Sequence, residues 1–323
     1  MNYISDSTIA TILNWDNHGV RFARWGEIIQ RIEDAFLDPS VEMVPKTYLN
    51  AHPQGDFRAM PSALGDYACL KWIGVYPNNH LISHLPTTLG TLLLNDRETG
   101  EPLIAMDCTT LTAYRTAATS AIAAKYCAKN AKEIAFVGCG KQTYYHFLAY
   151  REVLPELETV KLYDRDETAL SGLKSKIWKE ASFDNIETFN NLEDSVKNAD
   201  IVTTLTPSTT PYLNVNHIKS NCHINAVGAD AVGKRELDER IMERAADIIC
   251  DDPEQAFHSG ELQYSFDLLA NKRHPYLGVL TLSDLIKGHE TMQLDKGISV
   301  FDSTGVAIED IALAILLYEC VNS

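Results

Sequence analysis

Four side chains are placed where their chemistry would be unusual for a purely structural role. Lys71 interrupts the apolar stretch YACLKWIGVYP, Arg58 sits in GDFRAMP, and Arg115 sits in TLTAYRTAATSAIAA. Two or three such cations could clamp a carboxylate, with arginine giving a bidentate fork. Each also has a plainer reading: an edge lysine that snorkels to water, or an interface salt bridge. Asp230 follows an apolar run in INAVGADAVGK. It reads either as a helix cap or as a group that exchanges a proton with a substrate amine or imine. The fifth feature is EIAFVGCGKQTYYHFLAYREVLPELETVKLYD, residues 133–164. A short apolar run enters a Gly138-Cys139-Gly140 turn, a helix-compatible stretch opens with Lys141 and Gln142, and a second apolar run ends in Asp164. This is the outline of a dinucleotide-binding βαβ unit. Gly138 permits the tight turn, and Gly140 lets backbone approach a pyrophosphate at a helix N-terminus. The third glycine is replaced by Thr143, so a βαβ turn without a ligand remains the competing reading.

The elements that must position these residues fall into two kinds. Before residue 133, KTYLN, FRAMPSA, YACLKWIGVYP, TTLGTLLLND and EPLIAMD alternate with Gly, Pro and Asn signals. That pattern predicts an antiparallel sheet, with ETGEP at 98–102 as a hairpin turn. WGEIIQRIEDAF at 25–36 has helical spacing. The alanine-rich 116–129 predicts a hinge helix, with Arg115 just ahead of it. After Asp164, helices and strands alternate through LEDSVKNA, DIVTTLTP, HINAVGAD, ELDERIMERA, DIICDD and ISVFD, and VAIEDIALAILLYECV closes the chain as an apolar helix. The fold class is α/β: a doubly wound parallel sheet from about 130 to 302, joined to an α+β domain. Gly138, Asp164, Thr206, Asp230 and Ser303 all fall at or just past carboxyl ends of its strands, where such sheets bind ligands.

Composition narrows the function classes. With 28 basic and 44 acidic residues the net charge is −16, and no basic cluster interrupts it. Nucleic acid is therefore not an expected partner. No apolar run approaches the roughly 20 residues that span a bilayer, and MNYISDSTIATIL lacks the features of a signal peptide. Seven widely spaced cysteines without CxxC favour free thiols in the cytoplasm, with Cys139 simply a small residue in its turn. The ten histidines form no HExxH or Cys/His pairing, so no metal is expected, and GxSxG is missing.

In GDFRAMPSALGDYACLKWIGVYPNN, TGEPLIAMD, RTAATSAIAAKYCAK, IAFVGCGKQTYYHFLA, VKLYDRD, HINAVGADAVGKRELD, DDPEQAFHSGEL and FDSTGVAIED, the chain resembles the ornithine cyclodeaminase/mu-crystallin family. Within it, the chain is most similar to the archaeal-type alanine dehydrogenases. The resemblance implies a Rossmann NAD-binding domain at 119–304, inserted in a substrate-binding and dimerisation domain at 1–118 plus 305–323. It implies a homodimer and hydride transfer between nicotinamide and the α-carbon of an amino acid or imine. By the same resemblance Lys71 and Arg115 hold the substrate carboxylate, and Asp230 is the acid/base. Gly138, Gly140 and Gln142 form the pyrophosphate turn, with Lys141 beside it, and Thr116 touches the phosphates. Asp164 takes the adenosine ribose, and Thr206, Val227 and Ser303 line the nicotinamide half. Asp164 favours NAD over NADP by like-charge repulsion of a 2′-phosphate, while Arg165 keeps NADP open.

The family joins several chemistries: cyclodeaminases, alanine-type dehydrogenases, ketimine reductases and opine-like enzymes. The resemblance puts a glutamate at position 58 in ornithine cyclodeaminases, to meet the cationic δ-amine, and an arginine in alanine-type enzymes. Two positive charges at about 4 Å cost roughly 4 kcal/mol at an effective dielectric of 20. Arg58 therefore points to an alanine-type dehydrogenase or imine reductase acting on a small amino, imino or oxo acid. Ornithine cyclodeaminase and a non-catalytic mu-crystallin-like binding protein are the alternatives. Val232, where the family has proline, and Thr143, where it has alanine, remove no functional group.

Overall fold

The computed structural model describes residues 2–14, 24–52, 55–265, 278–288 and 296–322. The chain divides into two compact units, Met1–Ala118 with Val306–Ser323, and Thr119–Gly305.

The first unit is built on a sheet of β1 (Asn2–Ile4), β2 (Glu42–Met43), β3 (Thr47–His52), β4 (Gly55–Leu64), β5 (Tyr67–Val75), β6 (Thr88–Asp96) and β7 (Pro102–Asp107). Its order is β1-β7-β6-β5-β4-β2, with β3 also paired to β4, and every pairing is antiparallel except β1 with β7. The parallel strand β1 has no counterpart in the sequence expectations. Leu64 pairs with Tyr67, so Gly65-Asp66 is a two-residue hairpin, and Gly65 supplies the positive φ such turns require. The expected hairpin near 98–102 is present: the Asp96 carboxylate accepts from the Thr99 N–H and hydroxyl, each at 2.7 Å.

Strand β5 alternates from Cys69 to Ile73. Cys69, Lys71 and Ile73 are buried, whereas Leu70 and Trp72 are exposed. Register carries the buried face across the sheet. Met60 and Leu92 lie directly opposite Lys71 on β4 and β6, and Arg58 lies opposite Ile73. The helix Ala307–Asn322 covers this face; the Ser62 hydroxyl donates to the Ala307 carbonyl at 3.1 Å, and residues 307–317 are all buried. A helix buried on all sides reads as apolar on every face, and this one does so from Ile311 to Leu317, after the buried pair Glu309–Asp310 in its first turn.

One expectation is corrected here. The alanine-rich helix is Thr109–Cys127, not 116–129, so Arg115 lies inside it rather than ahead of it. Its first N–H groups are satisfied by carboxylates: Asp107 accepts from Thr109 and Asp6 accepts from Thr110. That capping lets β-branched threonines open a helix which propensity alone would start later.

The second unit holds β8 (Glu133–Val137), β9 (Thr159–Tyr163), β10 (Ile186–Phe189), β11 (Ile201–Thr204), β12 (His223–Ala226), β13 (Ala245–Cys250), β14 (Val279–Thr281) and β15 (Ile298–Asp302). All pair in parallel, in the order β10-β9-β8-β11-β12-β15-β13-β14. The order reverses between β8 and β11, which opens the crevice where doubly wound sheets take ligands. The helix Glu167–Ala181, capped by Asp166, joins β9 to β10; neither it nor β10 is among the sequence expectations.

A buried polar network lies in this unit. The Ser120 hydroxyl meets His146 Nε2 at 3.2 Å, Tyr150 meets Thr203 at 2.8 Å, and Asn225 donates to the Tyr150 oxygen at 2.7 Å. Burial holds His146 and His223 neutral by pushing each down to about 4. A lowered histidine binds fewer protons folded than unfolded. Its contribution to stability is whole above pH 6.5 and declines as pH falls toward 4. At pH 5 that decline amounts to about 2 kcal/mol per histidine. His146→Gln is therefore expected to shrink the stability difference between pH 7 and pH 5 by about 2 kcal/mol relative to wild type. Urea unfolding at the two pH values measures it, and an unchanged difference would refute the neutral buried His146.

Candidate active site

In the first unit, Lys71 is fully buried, with its Nζ 2.7 Å from the Asp310 carboxylate. Arg115 places Nη1 2.6 Å from Glu309 Oε2 and Nε 3.2 Å from Asp310 Oδ1. Burial lowers the Lys71 pKa and the Arg115 charge lowers it further, while Asp310 pulls it up. The snorkelling reading is excluded, since this ammonium reaches no water. Arg58 turns onto the same buried face and bonds Asp56 through Nε at 2.7 Å, with its guanidinium over the Tyr48 ring. Burial pushes the neighbouring Cys108 thiol up to about 12, so it stays protonated. Lys71 and Arg115 share the Asp310 carboxylate, Arg58 pairs separately with Asp56, and none of the carboxylates that hold the three is among the sequence-predicted residues. The available signal is two adjacent acids opening an apolar C-terminal helix, whose positive end favours them. Thr116 does not present a free proton to a phosphate, because its hydroxyl donates to the Thr112 carbonyl at 2.8 Å.

In the second unit, the turn after β8 behaves as its residue types demand. Gly138 has φ +101°, and a Cβ there would sit 2.9 Å from the Leu205 carbonyl. Thr143, in place of a third glycine, is buried and ties the turn by donating to the Gly138 carbonyl at 2.7 Å. Gly140 precedes the helix Lys141–Val153, and a Cβ on it would meet nothing within 4 Å. Asp164 accepts from the Cys139 N–H at 2.6 Å and the Asp166 N–H at 2.9 Å, which fixes its carboxylate beside the turn. A cavity of about 400 Å³ is lined by Gly138, Gly140, Asp164, Arg165, Thr206 and Tyr212, among others. That volume is within the ~300–1,000 Å³ range of small-molecule sites.

The residues fit a dinucleotide. The open space at Gly140 suits an anion at a helix N-terminus. The Asp164 oxygens keep lone pairs for ribose hydroxyls. Gln142 Oε1 and Ser303 Oγ are buried without a hydrogen-bond partner among the described residues. Lys141 and Arg165 are exposed. The two glycines predict opposite outcomes. Gly138→Ala is expected to cost about 1–3 kcal/mol in urea unfolding, because it forces positive φ on a residue with a Cβ. Gly140→Ala is expected to stay within about 0.5 kcal/mol of wild type. Its methyl would occupy the anion's approach and weaken dinucleotide binding by roughly tenfold to a hundredfold in calorimetry. Equal effects of the two substitutions on stability would contradict this division.

Past β11 and β12, a net of buried carboxylates holds the loops. Glu236 accepts from the Thr206 N–H (2.8 Å), the Thr206 hydroxyl (2.7 Å), the Tyr212 hydroxyl (2.7 Å) and the Gly228 N–H (2.8 Å). The Thr206 hydroxyl expected along a nicotinamide is thus turned to Glu236. Glu261 holds the N–H groups of Glu236 and Leu237 in turn, and Asp302 holds those of Glu261 and Leu262. Asp251 takes the Thr304 and Gly305 N–H groups. Burial pushes Asp302 up to about 8 and raises Glu236. None of the four stands out in the sequence, since an acid in a loop ordinarily faces water. Val227 donates its N–H to the Thr204 carbonyl and Ser303 donates to Ala226, which continue the strands by one residue. Asp230 lies in the next loop, half-buried, with Lys234 Nζ at 2.5 Å.

Comparison with known proteins completes the picture. A model of the ornithine cyclodeaminase/mu-crystallin family matches residues 19–323. The chain is 37% identical over 300 residues to an alanine dehydrogenase of Archaeoglobus fulgidus, covering 91% of this chain and 89% of the relative. A solved archaeal alanine dehydrogenase dimer with bound NAD superposes with TM-score 0.87 at 35% identity, covering 99% of this chain and 95% of that one. The Δ1-pyrroline-2-carboxylate reductase of Thermococcus litoralis, solved with NADH and L-proline, gives TM-score 0.87 at 27% identity, covering 99% of this chain and 97% of that one.

Proposed function

The chain belongs to the ornithine cyclodeaminase/mu-crystallin family, and from that premise we propose that it is an NAD-dependent oxidoreductase acting on CH–NH2 or C=N groups of small amino or imino acids. One observation carries the reading: a dinucleotide turn with room for an anion at Gly140 shares the chain with a fully buried lysine bound into an arginine–carboxylate cluster. NAD held at the turn of Gly138 and Gly140 and at Asp164 would supply hydride chemistry at the substrate α-carbon. Lys71 and Arg115 hold the substrate carboxylate, and the Lys71 ammonium carries three N–H donors, one of which goes to Asp310. Asp230 exchanges a proton with the substrate nitrogen, with the Lys234 ammonium 2.5 Å from its carboxylate. Asp164 receives the adenosine ribose and disfavours a 2′-phosphate, which selects NAD over NADP.

Arg58 supports an alanine-type dehydrogenase or imine reductase over a cyclodeaminase. It sits on the buried face that carries Lys71, so its charge opposes a cationic δ-amine, although Asp56 offsets part of that charge. Purified protein with pyruvate, ammonia and NADH is expected to consume NADH. Formation of proline and ammonia from ornithine without net NADH change would replace this reading with the cyclodeaminase one.

The outer face of the first unit's sheet suits a homodimer. Trp72 (40% exposed), Leu70 and Leu49 lie uncovered there, with Phe57 stacked on Trp72. Among the described residues no helix is long and apolar enough to cross a membrane, and none of the seven cysteines is in a disulfide. Cysteines kept as thiols suit the reducing cytoplasm in which we place the protein.

A further inference from the structure

We propose that Asp310 is the positioning residue of the carboxylate clamp: its one carboxylate fastens the Lys71 ammonium and the Arg115 guanidinium together, so that the C-terminal helix aims both. The proposal deepens the amino-acid oxidoreductase reading and rests on it for the identity of the ligand.

Lysine is a poor anchor when left to itself, because its four-carbon stem carries about 2 kcal/mol of rotamer entropy. Here Lys71 has Met60 and Leu92 as its register partners on the two neighbouring strands, and these apolar residues offer the ammonium no charge partner. Asp310, 2.7 Å from Nζ, is what fixes its end. The same carboxylate reaches Arg115 Nε at 3.2 Å, and Glu309 takes Arg115 Nη1 at 2.6 Å. Glu309 is itself held by accepting the Val306 N–H at 3.1 Å. Both acids occupy the first turn of the helix Ala307–Asn322, where the dipole favours negative charge. The arrangement is therefore held from the helix outward, and the Lys71 ammonium has N–H donors beyond the one given to Asp310 for an incoming carboxylate.

Asp310 also governs charge. Facing Lys71 are Asp310 on the C-terminal helix, Arg115 on the helix Thr109–Cys127, Cys108 just before that helix and Cys69 on β5; Glu309 binds Arg115, and on the same buried sheet face Arg58 on β4 binds Asp56. The two thiols are pushed up by burial and stay neutral. Burial and Arg115 both favour loss of the lysine proton, and Asp310 is the acid in contact that opposes them. Without that acid, Lys71 loses its proton at a lower pH and the clamp loses a charge.

The experiment compares wild type with Asp310→Asn, after wild type has shown NAD-linked turnover of an amino or oxo acid. The variant is expected to raise the KM for pyruvate at least about tenfold at pH 8 and to leave the Kd for NAD unchanged. It should move the basic limb of kcat/KM against pH down by at least about one unit, so that lowering the pH restores activity. A wild-type KM and limb, or a loss equal at every pH, would overturn the proposal. Should Asp310→Asn fail to fold, Asp310→Glu takes its place. It keeps the charge but moves it, so a raised KM with an unmoved limb supports positioning, and an unchanged KM refutes it. Calorimetric binding of pyruvate is measured in parallel. If wild type shows no turnover, the oxidoreductase reading fails on its own, and pyruvate affinity still decides the clamp: weaker in the variant supports it, and equal refutes it.

Discussion

Asp230→Asn lowers kcat by about 10²- to 10⁴-fold, the usual contribution of a general acid or base, and leaves the unfolding midpoint where it was. The two halves of that result have different causes. An amide cannot exchange a proton with the substrate nitrogen at any useful pH, so the proton step loses its partner. The fold is spared because Asp230 is about a third exposed, and its ion pair with Lys234 four residues on is of a type worth roughly 0–1 kcal/mol. Its loop is held from elsewhere, by Glu236 on the Gly228 N–H. Dinucleotide affinity is likewise expected to hold. Stopped-flow turnover, calorimetric NAD binding and urea unfolding read the three quantities separately. A kcat within roughly threefold of wild type would remove Asp230 from the chemistry.

Lys71→Gln abolishes measurable turnover and also costs the fold about 3–5 kcal/mol, because it leaves a buried carboxylate with half its compensation. Activity loss alone would not separate a binding role from a structural one. The double variant Lys71→Gln with Asp310→Asn does so. Removing both charges restores most of the lost stability, since a neutral pair of similar volume can replace a buried ion pair at little cost. It cannot restore the carboxylate-binding cation, so activity stays lost. Unfolding free energies of the four proteins give the coupling directly. Recovery of turnover in the double variant would place Lys71 outside the substrate site. Additive stability losses would deny the Lys71–Asp310 contact.

Part of the candidate site is legible in the sequence because its signals are local. The turn at Gly138 needs positive φ, which glycine tolerates and other residues resist, so residue type reports backbone conformation directly. Asp164 is marked by its position at the end of the next strand, and it lies beside that turn. In β5 a period of two puts Lys71 on the same side as Cys69 and Ile73. Thr143 reads as a defect in the glycine pattern, yet its hydroxyl closes the turn onto Gly138. A short-range hydrogen bond of that kind cannot be read from a motif that expects a small residue.

What stays hidden is what lies far apart along the chain. Lys71 and Asp310 are separated by 239 residues, and Arg115 and Glu309 by 194. No periodicity links them, and a charged residue states its need for a partner without naming one. The same holds for Glu236, whose four donors include the Gly228 and Thr206 backbone. It also holds for the start of the Thr109–Cys127 helix, capped by Asp6 from more than a hundred residues upstream. Local rules of φ, strand alternation and helix spacing are written residue by residue, so the sequence by itself determined the βαβ turn and the acid beside it, and left open whether Lys71 points inward or to water. Which carboxylates neutralise that cation, and so how the clamp is aimed and charged, was decided only when the C-terminal helix closed over the N-terminal sheet.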